Sequence, residues 1–316
     1  MRALLEETFR GLRAVVIGGD YQPAVWMRAL LGVLGAQTAQ VSGSALLSAD
    51  ALCGVLTHER PQLVIWASRP PQDKRMDTAE WVRCAQTLVT ESREAGVRLI
   101  VRCSDAWVYS ASPPAFPPDQ TDATGGRNVS GLCESLVQQV LLAASRALMG
   151  DPVSAVCARH LPLLYGAASD DPLDEWMRRL RLNEPLHLGG SGCAAVFMHP
   201  LNAYAGALSA AAMVLRHGDA YTGAWNFSAP PECVLSRRGA VRVLRRTLKS
   251  DSAITEDALP LCPYPAMLCD RPARERLGWH VVWDAEEALE RYCAYRPGCE
   301  EKQAERFMER MDEMER

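Results

Sequence analysis

The stretch that decides the fold is Arg13-Ala-Val-Val-Ile-Gly-Gly-Asp-Tyr-Gln-Pro-Ala24. Ala14 to Ile17 is a short apolar run that stops at Gly18 and Gly19, and an amphipathic segment from Ala24 to Leu34 follows at once. Apolar runs of this length read as strands buried on both faces, and glycines at their ends mark sharp turns. Pro23 sits where a helix tolerates proline, in its first turn. The segment therefore predicts a strand, a tight turn and a helix.

The same unit recurs. Leu63 to Ala67, Leu99 to Cys103 and Val153 to Ala158 are further apolar runs, with helical patterns over Asp77 to Ala95 and Val129 to Leu148 between them. Strands alternating with helix-length segments predict a Rossmann-type α/β fold: a doubly wound parallel sheet with helices on both faces. Ser110 to Gly126, with four prolines and two glycines, reads as a loop. Beyond residue 166 the pattern is less regular and suggests a smaller C-terminal α/β lobe. The expected division is a Rossmann-like domain over 1–165, a smaller lobe over 166–297 interleaved with it, and a charged C-terminal tail over 298–316. The tail reads as an exposed helix or frayed end, although Phe307, Met308 and Met311 share helical spacing and are able to form a docking stripe.

Composition removes several classes of function. The 316 residues carry 34 basic and 38 acidic side chains, a net charge of −4, so no basic excess points to nucleic acid. No run reaches the ~20 apolar residues of a membrane span, and acidic residues precede the first apolar run, unlike a secretory leader. Eleven cysteines are scattered without a CxxC pair and read as buried thiols of a reducing compartment, the cytoplasm.

Six patches, in order, resemble the extended short-chain dehydrogenase/reductases (the NAD-dependent epimerase/dehydratase family), most of all the CDP-glucose 4,6-dehydratases. They are Phe9 to Gly18, Leu99 to Tyr109 (LIVRCSDAWVY), Arg159 to Gly166 (RHLPLLYG), Phe197 to Asn202 (FMHPLN), Gly223 to Phe227 (GAWNF), and Arg276 to Trp279 (RLGW) with the helix after it. The resemblance implies a dinucleotide-binding fold, NAD or NADP as cofactor and a nucleotide sugar as substrate.

The residues that this chemistry needs are mostly replaced. The family's G-x-x-G-x-x-G turn, which lets a pyrophosphate approach a helix N-terminus, reads Gly18, Tyr21, Ala24, with Asp20 placing a negative charge beside the phosphate position. Gly18, Gly19 and Ala67 are the cofactor positions that survive. The ribose-binding acid is missing from Thr38 to Ser44. Leu47 stands at the adenine contact, and Asp50 reads as a helix N-cap. The family's Tyr-x-x-x-Lys pair, the general base and the lysine that lowers its pKa, aligns with Arg127 and Gly131. Ser104 and Asp105 match the start of the dehydratases' Ser-Asp-Lys trio and are vestigial catalytic positions. His199 and Asn202 match the H-V-x-D motif on the substrate side.

No cofactor is therefore expected. The residues suggest a non-catalytic relative serving as a binding or structural subunit, in a homodimer or a larger complex, without nucleic acid or membrane as partner. The alternatives are an active nucleotide-sugar dehydratase or epimerase whose base is Tyr109, Asp105 or His199, and a nucleotide-binding protein without turnover.

Overall fold

The computed structural model describes residues 1–68, 78–109, 117–122, 124–126, 128–145, 153–160, 164, 172–257 and 268–316. Its elements begin with helix α1 (Arg2–Phe9), strand β1 (Arg13–Ile17), α2 (Gln22–Val33), β2 (Gln37–Val41), α3 (Ala49–Glu59), β3 (Leu63–Trp66), α4 (Thr78–Glu94), β4 (Leu99–Asp105), α5 (Val129–Ser145) and β5 (Ser154–His160). The second part adds α6 (Pro172–Arg181), β6 (Leu186–Leu188), β7 (Ala194–Val196), α7 (Pro200–His217), β8 (Gly223–Phe227), β9 (Val234–Ser236), α8 (Arg237–Leu248), β10 (Ile254–Glu256), α9 (Arg271–Leu277), α10 (Ala285–Ala294) and α11 (Glu300–Glu315).

Six strands form one parallel sheet in the order β2-β1-β3-β4-β5-β8. The side-chain period of two sends alternate residues to opposite faces. Ala14, Val16, Leu63, Ile65, Leu99 and Val101 face α1, α2 and α7. Val15, Ile17, Val64, Trp66 and Ile100 face α3, α4 and α5. Burial on both sides explains why these strands read as unbroken apolar runs. The Rossmann-type fold is thus present, and β8, from the second half of the chain, completes its sheet. The connection from β2 crosses to the far side of β1, so the strand order reverses between β1 and β3. In open α/β sheets the crevice outside the strand C-termini at such a reversal is where ligands bind.

The smaller elements gather beside this sheet, with β6 paired to β10 and β7 to β9. Trp279 and Trp225 are buried, and Trp279 donates its indole N–H to the Asn202 carbonyl at 2.8 Å.

Two expectations need correction here. The tail is helical, but its stripe is not solvated: Ala304, Phe307, Met308 and Met311 are buried, and α11 packs along α2. Spacings of three and four put these residues on one face, and burying each large apolar side chain contributes roughly 1.5–3 kcal/mol. The cysteines are not uniformly thiols either, since Cys193 is disulfide-bonded. No helix among the described residues is long and apolar enough to cross a membrane.

Candidate active-site cleft

The turn after β1 keeps its glycines for reasons internal to the protein. Gly18 and Gly19 both donate their backbone N–H to the Val41 carbonyl at 2.9 Å, which commits these donors to the end of β2. A side chain at Gly18 would meet the Ala24 Cβ at 2.6 Å, so glycine here lets α2 approach the strand. Tyr21 is the N-cap of α2 without a capping hydrogen bond from its side chain, Pro23 occupies the first turn, and Asp20 accepts from the Gln40 amide at 3.2 Å. Farther along, Ser48 and not Asp50 caps α3, its hydroxyl accepting from the Ala51 N–H at 3.3 Å. Asp50 lies in the first turn, where its charge favours the helix dipole. Leu47 points to solvent, 53% exposed.

At the C-terminal end of β4 the sheet carries a buried charge. Arg102 lies on the face toward α5, within the otherwise apolar, buried stretch Leu99 to Cys103. Arginine is almost never buried without a partner, and Glu134 supplies one from α5. The guanidinium Nε donates to Glu134 Oε2 at 3.0 Å, and Nη2 pairs with Oε1. Arg102 Nη1 donates to the Trp66 and Ser68 carbonyls, each at 2.9 Å, and the guanidinium lies 4.6 Å from the centre of the Trp66 ring. Trp81 donates its indole N–H to Glu134 at 3.3 Å. The pair thus ties β3, β4, α4 and α5 together below the crevice.

A second buried network begins at Ser104. Its hydroxyl accepts from the Gln138 amide at 2.6 Å, and Gln138 Oε1 accepts from Arg159 Nε at 2.8 Å. Arg159 Nη1 donates to the Tyr109 hydroxyl at 2.8 Å, which donates in turn to Asn226 Oδ1 at 2.6 Å. Burial raises the Tyr109 phenol above its ordinary range, against the lowering effect of Arg159. Burial also lifts the Cys103 thiol to about 12, so it stays protonated at neutral pH.

The cleft itself is lined by Tyr21, Ala67, Arg102, Ser104, Asp105 and His160, with Ser130 and Glu134 facing in from α5. Its interior volume is about 30 Å³, room for one or two water molecules. Asp105 also caps the short turn after β4, accepting from the Trp107 N–H at 2.9 Å. Among the described residues, no group of three or more His, Cys, Asp or Glu is placed to hold a metal ion.

The positions around the start of α5 that the resemblance aligns with the family's catalytic pair are Arg127 and Gly131. Arg127 lies outside the described residues. Gly131 does not face the cleft: a Cβ there would come 2.1 Å from the Trp107 carbonyl oxygen, so no lysine fits at that position. The residues spaced by four that do face the cleft are Ser130 and Glu134. The sequence signal for Glu134 was Arg102, a charge inside an apolar strand that required a buried counter-charge. His199 and Asn202 are fully buried away from the cleft. His199 caps α7 through Nδ1, and Nε2 reaches Gln303 at 3.2 Å; burial drives its pKa down to about 3. Asn202 brackets the chain at Val282 and Trp283.

These residues do not fit a dinucleotide. The glycine-turn amides that would meet a pyrophosphate are spent on Val41, the Tyr21 side chain lines the crevice, and Glu134, facing the crevice from α5, is closed on Arg102.

No protein-family model and no curated protein sequence matches the chain. Solved structures match its fold. UDP-N-acetylglucosamine 4-epimerase from Bacillus cereus aligns over 91% of this chain and 100% of its own, with a TM-score of 0.73 at 14% identity. UDP-glucose 4-epimerase from Thermotoga maritima, solved with UDP-glucose, aligns over 89% and 97%, with a TM-score of 0.71 at 15% identity. The enzyme WbmG from Bordetella bronchiseptica, in complex with NAD and UDP, aligns over 90% and 93%, with a TM-score of 0.69 at 15% identity. The chain therefore has the Rossmann-type architecture found in nucleotide-sugar epimerases, over nearly its whole length.

Proposed function

We propose that the chain is a non-catalytic relative of the extended short-chain dehydrogenase/reductases that act on nucleotide sugars, serving as a binding or structural subunit. The observation that carries this reading is the closure of Glu134, which faces the cleft from α5, on Arg102, together with the lack of room for any side chain at Gly131, the position that aligns with the family's lysine. Fold and site are separable, and a core of this size persists without the chemistry. Mass spectrometry of the denatured, purified protein, together with assays on CDP-, UDP-, GDP- and dTDP-sugars, tests the reading. No co-purifying NAD(P) and no dehydratase, epimerase or reductase turnover is expected; either one would overturn it.

The competing reading, an active dehydratase or epimerase with a substitute base, draws its support from Asp105, which lines the cleft next to Ser104. Turnover that disappears in Asp105→Asn would establish it. Of the other candidate bases, Tyr109 is held between Arg159 and Asn226, and His199 is sealed in the core. As for partners, the reading includes a second copy of the chain or a different subunit docking on α5. Val129 and Leu132 are 63% and 42% exposed there, and Leu136 and Val140 continue the same side of the helix.

A further inference from the structure

We propose that the groove between α10 and α11 is a binding site for a small phosphate-bearing molecule. The groove has a volume of about 410 Å³, within the range of small-ligand pockets, and it is separate from the cleft at the strand ends.

Three cations line it: Arg291 from α10, and Lys302 and Arg306 from α11. Arg291 is positioned by stacking, its guanidinium 4.4 Å from the centre of the buried Trp283 ring. Lys302 and Arg306 are four residues apart and so project from one side of α11. Like charges at that spacing destabilise a helix, and neither side chain forms an ion pair among the described residues. An anion between them relieves that repulsion.

Two carboxylates share the groove. Glu290 pairs at 2.9 Å with Arg246, which it shares with Glu286, and Glu287 is the second carboxylate, so two negative charges stand against the three cations. The balance of the lining is positive, in a chain whose overall charge is −4. Below, the groove is closed by Gln303, which is buried and fixed by His199 on one side and the Cys299 thiol on the other. Arginine presents a fork that matches phosphate oxygens in pairs, and lysine adds a point charge. Two cations on one helix and a third facing them suit a diphosphate better than a single carboxylate.

The full chain, titrated calorimetrically with inorganic pyrophosphate at constant ionic strength, tests the site. Saturable binding at one site is expected, weakened at least tenfold in Lys302→Ala/Arg306→Ala and unchanged in Arg242→Ala, an exposed arginine of α8 outside the groove. Both altered side chains of the double variant are exposed, so folding is preserved. Cys299, half-buried on the groove wall, provides a second readout: pyrophosphate should slow its alkylation by N-ethylmaleimide several-fold while leaving the exposed Cys53 unaffected. Absence of saturation, unaltered affinity in the double variant, or an unprotected Cys299 would each overturn the proposal.

Discussion

Glu134 of α5 closes on Arg102 of β4, with Nε and Oε2 3.0 Å apart and both side chains shut off from solvent. The pair sits at the end of the sheet where its strand order reverses, and it holds the floor of the cleft in a neutral, fully bonded state.

Breaking such a pair from one side leaves a buried charge uncompensated, at a cost of ~3–5 kcal/mol, whereas apolar replacement of both partners is far milder. Glu134→Ala should therefore lower the urea midpoint severely or abolish folding. Arg102→Met/Glu134→Leu should recover most of the loss. A double variant no better than the single one would show that the pair is not coupled in this way.

Ser104 separates catalysis from structure. It accepts the Gln138 amide at 2.6 Å, so Ser104→Ala leaves a buried donor unpaired and should cost ~1–3 kcal/mol. Trp279→Ala opens a cavity and should cost ~3–5 kcal/mol. In a complementation assay, a folded Ser104→Ala protein should retain its biological role. Loss of that role with the fold intact would point to chemistry at the hydroxyl.

NAD(H) and NADP(H) should give no saturable heat in titration calorimetry up to millimolar concentration, because the glycine-turn amides are bonded to Val41 and the interior of the cleft holds about 30 Å³. Low-micromolar affinity would be incompatible with the arrangement of Tyr21, Arg102 and Glu134.

His199 supplies an acid sensitivity. Burial holds the folded imidazole at about 3 against an ordinary value of 6.5. Between these values the unfolded chain binds a proton that the folded chain does not. Stability is therefore complete above about pH 6.5 and lost as pH falls toward 3, with a slope approaching ~1.4 kcal/mol per pH unit for this group. His199→Asn keeps a capping side chain and removes the titration. Its urea midpoints between pH 7 and pH 4 should fall less steeply than those of the parent, from a lower starting stability. Equal slopes would exclude His199 as the source.

The strands most visible in the sequence were those buried on both faces: β1, β3 and β5 each present four apolar residues in a row, and β4 three before Arg102. β2, with its two glutamines and a threonine at the sheet edge, carried no such signal, and β8 stood out only through its resemblance to a family motif. The cleft was less legible. Reading α5 against the family pair put weight on Arg127 and Gly131, while the face toward the sheet is set by packing against the turn after β4, and Gly131 is the contact point of that packing. α11 was obscured by its charges, ten acidic or basic residues around a stripe of four buried apolar ones.

That last helix imposes an order on the chain's assembly. Phe307, Met308 and Met311 belong to the same core as Trp26, Met27 and Leu30, close to three hundred residues earlier. A contact of such sequence separation forms late, because the entropy of closing the intervening chain must be met before it contributes. During synthesis the outer side of α2 therefore stays uncovered until α11 has been made, and this surface is the one that a nascent-chain chaperone would meet.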